Sequence, residues 1–101
     1  MRRKDGKEVA TAYVLLTTEI GAEKHVLNSL KKIHGVQEAH SLWGVYDIIA
    51  NVQAQDVEGL KTIITGQIDK IGKVNSKLTM IIEDNMPKVE PELIFEQALI
   101  A

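Results

Sequence analysis

The chain has 101 residues and a mass of 11.2 kDa, with 45% hydrophobic and 26% charged residues; this is enough for one hydrophobic core and one domain, and unlike a disordered chain. A net charge of -2 and a pI near 5.9 give no field that would draw a polyanion to the whole molecule, so direct nucleic-acid binding is not expected. No apolar run approaches the roughly 20 residues of a membrane helix, no apolar stretch of signal-peptide kind follows the charged start, and there is no cysteine; these read together as a cytoplasmic protein without disulfides or thiolate metal sites.

Residues 1–9 read as a flexible basic tail: four of the first seven are Arg or Lys. Ala10 to Thr18 follows as a strand, with Ala12, Val14 and Leu16 on one face and Tyr13 and Leu15 on the other, so both faces call for burial. After Gly21, Val26, Leu27, Leu30 and Ile33 have the spacing of an amphipathic helix that ends near Gly35, with Glu19 and Glu23 as first-turn charges and His34 as a last-turn cation. Val36 to Trp43 and Val45 to Ala54 read as a hairpin meeting at Gly44. Asp56 is an N-cap candidate, with Gly59 where a capping box would place glutamate; Val57, Leu60, Ile63, Ile64, Gln67, Ile68 and Ile71 continue as a second helical stripe. Val74 to Glu83 is a fourth strand, with Val74, Leu78, Met80 and Ile82 on one face and Asn75, Lys77, Thr79 and Ile81 on the other.

The order β-α-β-β-α-β predicts an α+β, ferredoxin-like domain over residues 10–84, an antiparallel sheet with two helices on one face. A short internal repeat agrees: Lys32-Ile33-His34-Gly35-Val36 and Lys70-Ile71-Gly72-Lys73-Val74 fall at the same helix-to-strand junction in the two halves. The opposite sheet face would be bare, yet Tyr13, Leu15, Ile49 and Ile81 are candidates for it, and an apolar face of that size predicts an obligate dimer with two sheets facing. Residues 85–101 read as a proline-marked linker and a short helix. Its Leu93, Ile94, Phe95, Leu99 and Ile100 either cover an edge of this subunit or lie on a neighbour.

Catalytic signatures are missing: no nucleophile paired with a histidine and an orienting group, no phosphate loop, no HExxH. His25, His34 and His40 lack carboxylate or thiolate company, so neither a metal nor another cofactor is expected. What remains is the turn Gly44-Val45-Tyr46-Asp47 with Ser76 and Thr79 of the last strand. A glycine turn offers backbone N–H groups, Asp47 an anion and the hydroxyls further donors, a set that suits a zwitterion; ordinary turn chemistry explains the Gly-Asp pair as well.

The runs Tyr13-Val14-Leu15-Leu16-Thr17-Thr18, Ile33-His34-Gly35-Val36, Leu42-Trp43-Gly44-Val45-Tyr46-Asp47-Ile48 and Ser76-Lys77-Leu78-Thr79-Met80-Ile81-Ile82 resemble the effector-binding (RAM) domain of the Lrp/AsnC regulators, in the stand-alone form without the helix-turn-helix domain. The resemblance implies a dimeric α/β-barrel, assembled further into tetramers or octamers, that binds an amino acid between dimers near the hairpin that meets at Gly44. It implies that Gly44, Val45, Tyr46, Asp47, Ser76 and Thr79 contact the ligand, and that Trp43 shapes specificity. The expected function is amino-acid sensing and oligomerisation, not catalysis, acting through a full-length regulator or an enzyme partner. The alternatives are a small monooxygenase-like enzyme of the same fold and a purely structural assembly domain.

Overall fold

The computed structural model describes residues 9–83; the expected basic tail and the C-terminal linker and helix lie outside the described residues. The chain runs β1 (Ala10–Thr18), α1 (Glu23–Lys31), β2 (Val36–Ser41), β3 (Ile48–Ala54), α2 (Val57–Gly66), a 3-10 turn (Ile68–Lys70) and β4 (Val74–Ile82). The strands form one antiparallel sheet in the order β2-β3-β1-β4, the expected ferredoxin-like topology. Strand β1 is central, paired to β3 on one edge and β4 on the other, with Ala12, Val14 and Leu16 facing the helices and Tyr13 and Leu15 on the opposite face.

Ala12, Val14 and Leu16 of β1 and Ile48, Ala50 and Val52 of β3 point to the helices. There they are sealed by Val26 and Leu30 of α1, Leu60 and Ile64 of α2, and Ile68 of the 3-10 turn. Each Val, Leu or Ile side chain buried this completely contributes roughly 1.5–3 kcal/mol. The second helical stripe is broken at Gln67: α2 closes there, and Ile68 reaches the core from the 3-10 turn. Asp56 caps α2 as expected, its Oδ1 accepting the Gly59 N–H at 2.7 Å. Glu19, expected in the first turn of α1, lies beyond the end of β1. Its N–H donates to the Lys73 carbonyl at 2.9 Å and its carbonyl accepts from Ala22 at 3.0 Å. His34 likewise falls in the turn after α1, whose last turn carries Lys31 instead.

The two helix-to-strand junctions of the internal repeat share a backbone feature. Gly35 has φ 103° and Lys73, its counterpart, φ 69°, so both take the left-handed region and only one is glycine. Gly35 has a second reason: a Cβ there would meet Ile63 Cδ1 at 2.5 Å and the Gln53 carbonyl oxygen at 3.1 Å. The turn after α1 therefore seats directly on α2 and β3.

The sheet face away from the helices departs from expectation in one strand. Ile81 pairs with Ala12 and packs against the core, so it belongs to the helix side. Leu78, Met80 and Ile82, paired with Leu15, Tyr13 and Thr11, lie on the open side instead. A register shift between Thr17 and Thr18 also brings Val74 to the core, away from the face of Leu78, Met80 and Ile82. Among the described residues no helix is long and apolar enough to cross a membrane.

Candidate functional site

The expected tight hairpin at Gly44 is in fact a six-residue loop, Leu42 to Asp47, because the β2–β3 ladder closes at the pair Ser41 and Ile48. Trp43, Val45 and Tyr46 have the β-propensity of strand residues but sit outside the ladder. Gly44 does not have a positive φ, and a Cβ there would meet nothing within 4 Å, so the backbone itself does not require glycine. Trp43 and Val45 project from the loop, with Trp43 as exposed as an isolated residue at 104% and Val45 at 88%.

Asp47 closes this loop onto the end of β1 through three hydrogen bonds. Its carbonyl accepts the Leu42 N–H at 2.8 Å, its own N–H donates to the Leu16 carbonyl at 2.8 Å, and its Oδ2 accepts the Thr18 N–H at 2.8 Å. The carboxylate thus does for β1 what an N-cap side chain does for a helix: it satisfies a backbone donor that the ladder leaves over. Thr18 is 7% exposed, so its N–H has little recourse to water.

On the other flank of β1, Ser76 Oγ lies 2.5 Å from Thr17 Oγ1. Asp47 and Ser76 are therefore both anchored to the last two residues of β1, one from the β3 side and one from the β4 side. Thr79 does not join them. It pairs with Val14, further along β1 and on the helix face, whereas Ser76 pairs with Thr17 on the open face. The structure accordingly collects Gly44, Val45, Tyr46, Asp47 and Ser76, with Trp43 beside them, at one end of the sheet and leaves Thr79 apart.

Two features of this end were not foreseen. Thr17 and Thr18 are the scaffold to which both flanks attach, and their run in the sequence looks like any strand. A cleft of about 240 Å³ also opens on the helix side, between the 3-10 turn and the start of β4, with the Lys77 ammonium paired to Asp69 Oδ1 in its wall. The only signal for it in the sequence is an acid and a base eight residues apart. The histidines are not gathered: His40 contacts Glu38 at 3.4 Å on the exposed edge strand. Among the described residues no group of three or more His, Cys, Asp or Glu is placed to hold a metal.

This βαββαβ domain with its loop-bearing end has clear relatives. An uncharacterised HTH-type transcriptional regulator of Pyrococcus furiosus is 31% identical over 74 residues, covering 70% of this chain and 49% of the regulator; the chain thus spans about half of that relative's length. A hypothetical protein of known structure from Pyrococcus horikoshii is 30% identical with a TM-score of 0.69, covering 79% of this chain and 99% of that one. A transcriptional regulator from Neisseria meningitidis, solved as a complex with L-Met, shares the fold at a TM-score of 0.66 and 12% identity, over 80% of this chain and 54% of that one. The sequence model of the Lrp/AsnC ligand binding domain matches residues 11–88, which takes in all of the described strands and helices but Ala10, the first residue of β1. With its strand order, its loop-bearing sheet end and this match in agreement, the chain belongs to the Lrp/AsnC ligand-binding domain family.

Proposed function

We propose that this domain is an effector-binding and assembly module: a small amino acid binds at a subunit interface beside the Leu42 to Asp47 loop and shifts the assembly equilibrium by its differential affinity for the two states. The observation that carries this reading is the open sheet face. Leu78 and Met80 are 43% and 46% exposed there, beside Tyr13, Leu15, Ile49 and Ile82, an apolar surface continuous across three strands. A homodimer with its two sheets opposed buries this surface, and further contacts at the loop end build tetramers or octamers.

Ligand contact falls to Gly44, Val45, Tyr46 and Asp47, with Trp43 setting side-chain selectivity and Ser76 contributing a hydroxyl, while Thr79, on the helix face beside Val14, lies apart from them. Gly44 supports this part of the reading: its glycine answers no need of the backbone and leaves the main chain open to close approach. The family and the L-Met complex of the Neisseria regulator point to an amino acid as the effector class. The regulator among the relatives favours a regulatory role over a catalytic one, with output through a full-length regulator in a cytoplasmic setting.

A purely structural assembly domain is the second reading. The Thr18 N–H bond favours it, since it gives the Asp47 carboxylate a task that needs no ligand. A thermal-shift screen of the purified protein against the twenty amino acids, with light scattering to follow mass, separates the two. Binding to the native state raises the melting temperature by mass action. A folded oligomer whose melting responds to none of the twenty is a structural module.

A further inference from the structure

The open sheet face poses a problem for a subunit that is not assembled. Tyr13, Leu15, Ile49, Leu78, Met80 and Ile82 share it, and both helices pack on the other side. An assembly that dissociates returns this surface to water, at a cost that scales with its apolar area. Of the two stretches outside the described residues, 1–8 is charged and 84–101 is strongly apolar toward its end. In that sequence Ile94 and Ala98, like Phe95 and Leu99, are spaced i, i+4, while Glu92 and Glu96 share another side, a pattern with one apolar and one acidic face when read at helical period.

We infer that residues 91–100 of the same chain cover the open face of the free subunit, in competition with a second copy; the inference rests on the assembly reading above and names its unassembled state. The dimensions agree. From Leu78 to Ile82 the exposed stripe of β4 runs for about 13 Å, with β1 about 4.8 Å beside it. A helix over 91–100 is about 15 Å long and 10 Å wide, so one such segment spans the stripe on both strands. The chain leaves β4 at Ile82 on this same face, and the stretch 83–92 reaches up to about 33 Å when extended, enough to turn back over either strand. Thr11, opposite Ile82 and on the face of Tyr13, is 1% exposed, whereas Leu78 and Met80 are 43% and 46% exposed; the face is occluded at the row where a returning segment starts. With its apolar side on the sheet the segment turns Glu92 and Glu96 to water, so no carboxylate is buried. The same segment laid on a neighbour needs a second copy to be present and leaves the free subunit bare.

The chain has no cysteine, so a pair of introduced cysteines reports one contact. Full-length Met80→Cys with Phe95→Cys, and Met80→Cys with Leu99→Cys, are oxidised at low protein concentration and followed on non-reducing gels, with circular dichroism to check folding. Both are expected to close an intramolecular disulfide roughly tenfold or more faster than Lys61→Cys with Phe95→Cys, since Lys61 is on α2, across the sheet. Equal rates overturn the cover, as do disulfides that form only between chains when the single-cysteine variants are mixed. Sedimentation equilibrium of Phe95→Asp with Leu99→Asp reads the competition: the dimer dissociation constant is expected to fall roughly tenfold or more below that of the parent. A constant that is unchanged or higher overturns the competition. If parent and variant both stay monomeric at every concentration, the assembly reading fails, and a fast intramolecular disulfide still upholds the cover.

Discussion

Replacing Asp47 with alanine tests whether the loop is fastened to β1 by a side chain. The substitution removes the Oδ2 acceptor 2.8 Å from the Thr18 N–H and leaves the two backbone bonds of residue 47, to Leu42 and Leu16, in place. A hydrogen bond to a charged group contributes about 1.5–3 kcal/mol, and the donor left behind is at a residue 7% exposed, so little of this is returned by water. The expected loss is about 2 kcal/mol. For a domain of this size that corresponds to a fall in melting temperature of roughly 8–16 °C. Asp47→Asn keeps a neutral acceptor at the same place and is expected to lose about half as much. Urea unfolding at fixed protein concentration reads the loss as a shift in midpoint at constant slope, and the fixed concentration matters because the proposed assembly would contribute to apparent stability. Asp47→Ala unfolding within about 0.5 kcal/mol of the parent refutes the fastening. An Asn variant as unstable as the Ala variant shows that the charge matters and the acceptor position does not.

Four further outcomes follow from the same geometry. Gly44→Ala is expected to leave stability unchanged or raise it by up to about 0.5 kcal/mol, while weakening any amino-acid response in the thermal-shift assay; a clear loss of stability contradicts the open space around that residue. Gly35→Ala, at φ 103° with Ile63 Cδ1 2.5 Å from the new methyl, is expected to cost about 2–4 kcal/mol by urea unfolding, and a cost below about 1 kcal/mol would mean that α2 yields freely. Lys73→Gly relieves the left-handed strain at the matching junction, and after the entropy cost of glycine a gain of about 0.5–1 kcal/mol is expected; any destabilisation argues against strain there. If the proposed sheet-to-sheet dimer forms, Met80→Lys with Leu78→Lys is expected to convert it to folded monomers by sedimentation equilibrium, and a dimer of unchanged mass removes the open face from the proposed interface.

Several elements of this protein are legible in its sequence because they are local. The helical spacing of Val26 and Leu30, the cap at Asp56 and the double-sided apolarity of β1 each depend on neighbours within a few residues, and each appears where it was expected.

Tertiary pairing decided the rest. Trp43, Val45 and Tyr46 have strand-like side chains, and only the register of β2 against β3 ends the ladder at Ser41 and places them in a loop. Alternation along β4 separates two sets of residues without saying which set meets the helices. Pairing of Ile81 with Ala12, and the register shift at Thr17 and Thr18, settle that and turn Leu78 and Met80 outward. Asp47 shows the same division: its position in the chain identifies a carboxylate at a turn, and the approach of β1 gives that carboxylate the Thr18 N–H as its partner. Spacing along a chain encodes which face a residue shares with its near neighbours, while the identity of the strand or helix across from it is set by contacts between segments dozens of residues apart.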